Sequence, residues 1–330
     1  LGDVYKRQIM YVWDGSSYRF QTDFLGGSAF GSLLAPGVYN YPDTDEYIKL
    51  NSEDLSLRDG HLFITMNNQL EEVIFFDQLQ LVVVDHLADF DVFPDEKLLP
   101  GPPYQPFRLF TVQSARLPVS AVDKQGRSVL AEISKIDRIY PPVPDALPFK
   151  GYTVPHDIVL DLGEASNNYT VLLMHAWIDY ADSTSNLAAS QSGTQLIPPY
   201  LQVLDQNGNW VTVIERMGFP AGLPKTMTVD LSGKFLSSER KIRIVTNMKI
   251  YWDQILVEDG SPRSELKLHR LNADRAELRY RGFPKPYSPD DRLPKAYDYT
   301  RDSSPEWKTH IGAYTRFGDV IPLLESRDAL

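Results

Sequence analysis

The apolar residues of this chain recur at period two, in short runs that stop at turn-forming residues. Ile158, Leu160 and Leu162 alternate and end at Gly163; Met227, Val229 and Leu231 alternate and end at Ser232-Gly233. Period two puts one run's apolar side chains on one face of a strand, a pattern that a helix cannot use. Tyr200–Leu204 and Trp210–Ile214 flank Asp205-Gln206-Asn207-Gly208-Asn209, which predicts a hairpin with a five-residue loop. Asp14-Gly15, between Tyr11-Val12-Trp13 and Tyr18-Arg19-Phe20, predicts another. Tyr169–Tyr180 is apolar on both faces, as a central strand would be.

Further strands are expected at Glu46–Leu50, His61–Met66, Val73–Val84, Phe107–Val112, Val129–Ile133 and Ala276–Tyr280. Within Lys241–Val257 the phase changes. Ile242, Ile244, Met248, Ile250 and Trp252 hold even positions, whereas Ile255 and Val257 hold odd ones. A strand changes phase only through an extra residue, so a bulge is predicted near Asp253-Gln254. Only Asp182–Ser192 reads as helical, with Asp182 or Ser183 as its cap. The fold class is therefore all-β, built of antiparallel β-sandwich domains with few short helices. The 18 Tyr and 24 Pro agree, favouring pleated surfaces and turns.

Proline-rich stretches at 99–107, 140–148 and 283–294 read as connections. They suggest a β-rich domain over 9–148, a second sandwich over 149–283 and an irregular, truncated tail over 284–330. LGDVYKRQ (1–8) resembles translated adapter read-through, and fold reasoning begins after it.

The formal net charge of −11 disfavours a phosphate-binding groove and hence a nucleic-acid partner. With no cysteine there is no disulfide, thiolate zinc site or cysteine nucleophile. Apolar runs such as Leu81–Val84 are far too short for membrane insertion.

Several longer stretches carry a resemblance: DTDEYIKL (43–50), EEVIFFDQLQLVVVDH (71–86), PPYLQVLDQNGNW (198–210), PKTMTVDLSGKF (224–235), RIVTNMKIYWDQI (243–255), RGF (281–283) and YTRFGDV (314–320). They resemble the region that follows FG-GAP repeats and the ASPIC/UnbV domain in large bacterial proteins, some with tetratricopeptide repeats. That resemblance implies an extracytoplasmic setting, secreted or surface-associated, in a longer chain with a neighbouring β-propeller. Separately, HDIVLDLG (156–163) with KIRIVTNMKIYWDQILV (241–257) is similar to galactose-binding-like jelly rolls, which host glycan binding, protein contacts and structural roles.

No catalytic constellation stands out. His61, His86, His156, His175, His269 and His310 are scattered without a metal-ligand spacing. Asp85-His86 has the residue types of an orienter and base, but no nucleophile motif accompanies it. Acidic loops supply the oxygens that a structural calcium ion wants, which makes Asp85, Asp89 and Asp91 the candidate ligands. No other cofactor is expected. The binding candidates are the aromatic side chains near strand ends, Trp177, Tyr180, Tyr200, Trp210 and Tyr251, with Asp179, Asn247 and Asp253 as hydroxyl-binding neighbours. Trp252 continues the apolar even face and is assigned to the core. The leading expectation is a non-catalytic region that contacts glycan or protein. The alternatives are a metal- or carboxylate-dependent hydrolase of extracellular polymers, and packing against a neighbouring propeller.

Overall fold

The computed structural model describes residues 8–24, 33–39, 45–68, 76, 78–99, 106–165, 168–179, 181–220, 222–260, 265–280, 283–288, 291, 296–303 and 315–325. Among the described residues strand is the predominant regular structure, arranged in antiparallel sheets, as the alternation predicts. It falls into two compact units that are discontinuous in sequence. One comprises Leu1–Asp23, Leu50–Leu87 and Ser264–Leu330; the other comprises Phe24–Lys49 and Ala88–Arg263. The proline-rich stretches do not mark these divisions.

In the first unit, Gln8–Trp13 is the middle strand of a three-stranded sheet, between Tyr18–Phe24 and Ile64–Asn68. Asp14 closes the expected hairpin by accepting the Ser16 and Ser17 amides at 2.8 Å each, and these bonds hold its carboxyl at about 2. Gln8 is a buried member of the first strand and pairs with Asn68. The unit also holds a two-stranded ribbon of Gln80–Asp85 and Lys267–Asn272. Gln80–Asp85 accounts for the later part of the expected Val73–Val84 strand; residues 73–75 and 77 lie outside the described residues. Leu278 does not close the second domain. The strand Glu277–Leu278 pairs with Gly318–Asp319 in the first unit.

The second unit is a β-sandwich. Its strands are β1 (Ser120–Asp123), β2 (Tyr152–Asp161), β3 (Val171–Ile178), β4 (Tyr200–Leu204), β5 (Trp210–Ile214), β6 (Lys225–Asp230), β7 (Lys241–Met248) and β8 (Ile250–Glu258). One sheet has the order β1-β2-β7-β4-β5 and the other the order β6-β3-β8. Ile158, Leu160, Leu201, Val203, Ile242 and Ile244 of the larger sheet pack against Leu172, Met174, Ala176, Met227, Trp252 and Ile255 of the smaller. Each fully buried aliphatic side chain of this kind contributes roughly 1.5–3 kcal/mol. Helix α1 (Ser183–Gln191) is capped as expected by the Asp182 carboxylate, which accepts the Ser185 amide at 2.7 Å.

The predicted bulge is present. His175 faces Gln254 and Ala176 faces Trp252, so Asp253 is the extra residue. Trp252 and Ile255 both reach the core because of it. In the β4–β5 loop, Asp205 Oδ1 accepts the Asn207 and Asn209 amides at 2.8 Å each, and Gly208 takes a φ of +80° that a side chain would resist.

Three expected elements differ. Residues 45–50 form no strand, Val129–Ile133 is mostly turn, and the strand expected at His61–Met66 runs from Ile64 to Asn68. The apolar residues of Val129–Ile133 still reach the core, since Val129 and Ile133 are buried. Apolar spacing there reports burial, and a turn satisfies it as well as a strand does.

Candidate functional site

Seven of the eight binding candidates lie among the described residues, and they separate into three groups. Strands β3 and β8 bring Trp177, Asp179 and Tyr251 together on the outer face of the smaller sheet. Trp177 and Tyr251 are direct partners in the ladder. Their rings stack in parallel, 4° apart in plane and 4.1 Å between centroids. Tyr140 stands edge-on to both, at 6.3 Å from Trp177 and 5.3 Å from Tyr251. Lys249 Nζ donates to Asp179 Oδ2 at 2.8 Å and lies 5.7 Å from the Tyr251 ring centre. Burial opposes the Lys249 charge, but its bonds to Asp179 and Tyr251 outweigh that and hold the ammonium above its ordinary value. Burial likewise raises the hydroxyls of Tyr251 and Tyr140. Trp177 is only 1% exposed and offers no stacking face to a ligand. This group is an aromatic and ionic plug.

Asn247 and Asp253 form the second group, and both are engaged by the backbone. Asn247 Oδ1 accepts the Ile197 amide at 2.7 Å while its Nδ2 donates to the Gln195 carbonyl at 2.9 Å. Asp253 is buried, and its carboxylate accepts the Asp137 amide at 3.2 Å and the Arg138 amide at 2.9 Å. Burial raises its pKa against those two donors. Arg138 has a φ of +63°, a strained conformation for a residue with a side chain, and the Asp253 carboxylate holds that turn in place. The expectation that Asp253 is free to contact a ligand is therefore corrected: a bulge residue between paired strands points into the covering segment, and its charge has to be satisfied there.

Tyr200 and Trp210 form the third group, on the outer face of the larger sheet. Leu201 and Val203 of β4 point to the core, so their neighbours Tyr200 and Gln202 point away. Across the sheet, β7 contributes Arg243 between the core residues Ile242 and Ile244. Its Nε and Nη2 donate to Gln202 Oε1 at 2.7 and 2.5 Å, and its guanidinium lies 5.0 Å from the Trp210 ring centre. Gln202 Nε2 in turn donates to Thr212 Oγ1 at 3.1 Å. Trp210, Arg243, Gln202 and Thr212 thus form one connected surface row, half-buried or exposed. Sequence reading missed Arg243, Gln202 and Thr212. Period two was the available signal, because each alternates with a core residue or faces one that does. Tyr180 lies outside the described residues.

Each of the carboxylates proposed for calcium is engaged by another group. Asp85 and Asp91 belong to different units. Asp85 Oδ2 meets His269 Nε2 at 3.0 Å, and the ring of the adjacent His86 instead contacts the Leu87 carbonyl through Nδ1 at 3.0 Å. Asp89 Oδ2 accepts from Gln113 Nε2 at 2.9 Å. Asp91 Oδ1 pairs with Lys49 Nζ at 2.6 Å. Among the described residues, no three His, Asp or Glu side chains are grouped to hold an ion. No helix among them is long and apolar enough to cross a membrane.

The neighbouring acids have a different task. Glu96 is buried, accepting the Lys49 amide at 2.7 Å and the Thr226 amide at 2.8 Å. Asp95 accepts the Thr228 amide at 3.4 Å and pairs with Lys97 at 2.5 Å, while Lys97 Nζ donates to the Thr228 carbonyl at 3.2 Å. Buried Lys225 lies 3.7 Å from Glu46. These side chains bind the edge of β6 where a further strand would otherwise pair. No family model, curated protein or solved structure matches the chain.

Proposed function

We propose that this chain is a non-catalytic binding region of a secreted or surface bacterial protein, contacting glycan through the outer face of the larger sheet of its sandwich. The supporting observation is the row of Trp210, Arg243, Gln202 and Thr212, which combines an indole, a planar cation, an amide and a hydroxyl on an outward sheet face. Aromatic faces pair with the apolar faces of sugar rings, and fixed polar groups select their hydroxyls. The other candidates are less suited, since Trp177, Asp179, Asn247 and Asp253 are all buried. The extracytoplasmic setting and the galactose-binding-like jelly roll rest on the resemblances in the sequence. A scaffold role against a neighbouring domain is the second reading, supported by the exposed Tyr280 and Phe317 of the first unit.

The test is a glycan array probed with the whole chain, with calcium and with chelator. Trp210→Ala and Arg243→Ala are expected to lose the signal, whereas Tyr251→Phe keeps it. A blank array for the folded wild-type chain, or binding indifferent to Trp210 and Arg243, would overturn the glycan reading.

A further inference from the structure

We infer that the outer edge of β5 is a self-association site, where a second copy of this chain adds its own β5 antiparallel and joins the two larger sheets into one. The sandwich has two sheets and so four edges, and its own chain closes three of them. At β1 the Val129 amide donates to the Ala121 carbonyl at 2.9 Å, and the Asp123 amide to the Arg127 carbonyl at 3.0 Å. At β8 the Ile255 amide donates to the Ile133 carbonyl at 3.0 Å, and Val257 exchanges both backbone bonds with Arg116 at 2.7 and 2.9 Å. At β6 Glu96 and Asp95 accept the Thr226 and Thr228 amides. Among the described residues, no strand and no third segment bonds the outer backbone groups of β5. Its sequence, Trp-Val-Thr-Val-Ile, holds none of the charges or prolines that keep an exposed edge from pairing. The bulge that sets Leu201 against Ile214 comes after Thr212, so it confines pairing to the first half of the strand.

Register and bond direction select the occupant. The Asp205 amide donates to the Asn209 carbonyl at 2.9 Å, which makes theirs a hydrogen-bonded pair. Such pairs alternate along an antiparallel ladder. Val203 and Val211 therefore bond each other, and the N–H and C=O groups of Trp210 and Thr212 point to the open side. A two-fold axis at Val211 sets Trp210 of each copy against Thr212 of the other. That register engages all four outward groups of each copy and keeps both side chains on the outer face, as an aromatic and β-branched pair. It also sets Val211 against Val211. This valine lies on the core side beside fully buried Val203, yet it is 36% exposed, and the second copy covers it. Residues 207–214 carry no charge, so no like charges meet across the axis and a charged segment finds no complement there. The joined sheets place two Trp210–Arg243 rows on one continuous face; this bivalence, unlike the pairing itself, rests on the glycan reading.

Sedimentation of the whole chain over a concentration series should show a monomer–dimer equilibrium, and amide exchange at Trp210 and Thr212 should slow as the dimer forms. Val211→Lys and Val211→Glu each put like charges face to face on the axis and should weaken the dimer roughly tenfold or more. Mixing the two variants should restore it as a heterodimer. A wild type that stays monomeric, a dimer indifferent to both substitutions, or folded variants that do not recover on mixing would overturn the inference. The wild-type measurements decide it even where a charge at Val211 disturbs the sheet. A dimer with a blank glycan array keeps the pairing and removes the glycan reading, and an array signal from a monomer does the reverse.

Discussion

His175 lies on the outer face of β3, with its Nδ1 3.0 Å from the Thr226 hydroxyl, and burial depresses its pKa to about 4. An unfolded histidine titrates near 6.5, so between those values the unfolded chain binds more protons than the folded one. The stability contributed by neutral His175 is fully present above that range and is lost as the pH falls through about 4. Glu96, bonded to the amide of the same Thr226, acts in the opposite sense. Burial raises its pKa, so the protonated form suits the fold and stability falls as the pH rises through that raised value. Urea unfolding at pH 7 and at pH 4.5 should show the histidine loss as a decrease of roughly 2 kcal/mol, and His175→Gln should remove most of it. A decrease unchanged in His175→Gln would mean that another group titrates.

The edge of β6 makes the corresponding case for an element. Its Thr226 and Thr228 amides bond to Glu96 and Asp95 instead of to a neighbouring strand. Glu96→Ala leaves the amides of Thr226 and Lys49 without their acceptor and removes a countercharge beside buried Lys225. The expected loss is about 3 kcal/mol, comparable to breaking a buried ion pair. Bared backbone groups also invite pairing between molecules, so light scattering should rise in the variant at concentrations where the wild type stays monodisperse. A stable, non-associating Glu96→Ala protein would show that the edge is protected by something else. The hairpin at Asp205–Asn209 and the bulge at Asp253 are legible in the sequence because their causes lie within a few residues: turn chemistry in one, a change of apolar phase in the other. The edge clamp is not legible in this way. Glu96 and Thr226 are 130 positions apart, and a local run of acids looks the same whether it is solvated, metal-bound or buried against backbone amides. The same limit applies to the binding candidates. Period two separates core-facing from outward-facing residues, and by that rule Tyr200 and Trp210 share a face with Arg243. It does not reveal that a covering segment encloses Trp177 and Asp253.

At the scale of the whole molecule, the division into units follows tertiary contacts across long separations, and the proline-rich connections carry no signal of it. Phe24–Lys49 joins the sandwich although 38 residues of the other unit, Leu50–Leu87, separate it from Ala88. Its role there is electrostatic as much as apolar. The Lys49 amide donates to Glu96, its ammonium pairs with Asp91 and lies 3.7 Å from the Phe93 ring centre, and Glu46 faces buried Lys225. A chain cut to residues 88–263 keeps all eight sandwich strands and the core between them, so it should remain β-rich and unfold cooperatively. It lacks the Glu46 carboxylate beside Lys225 and the Lys49 amide that Glu96 accepts, while Glu96 stays beside Lys225, so the loss is that of partners to buried polar groups, about 1–3 kcal/mol. Its denaturant midpoint should therefore lie well below that of the same segment with residues 24–49 joined ahead of it by a short flexible linker. The closure of that linker is a minor term, since each doubling of loop length costs only about 0.6 kcal/mol. Equal midpoints for the two chains would mean that Glu96 satisfies Lys225 without Glu46.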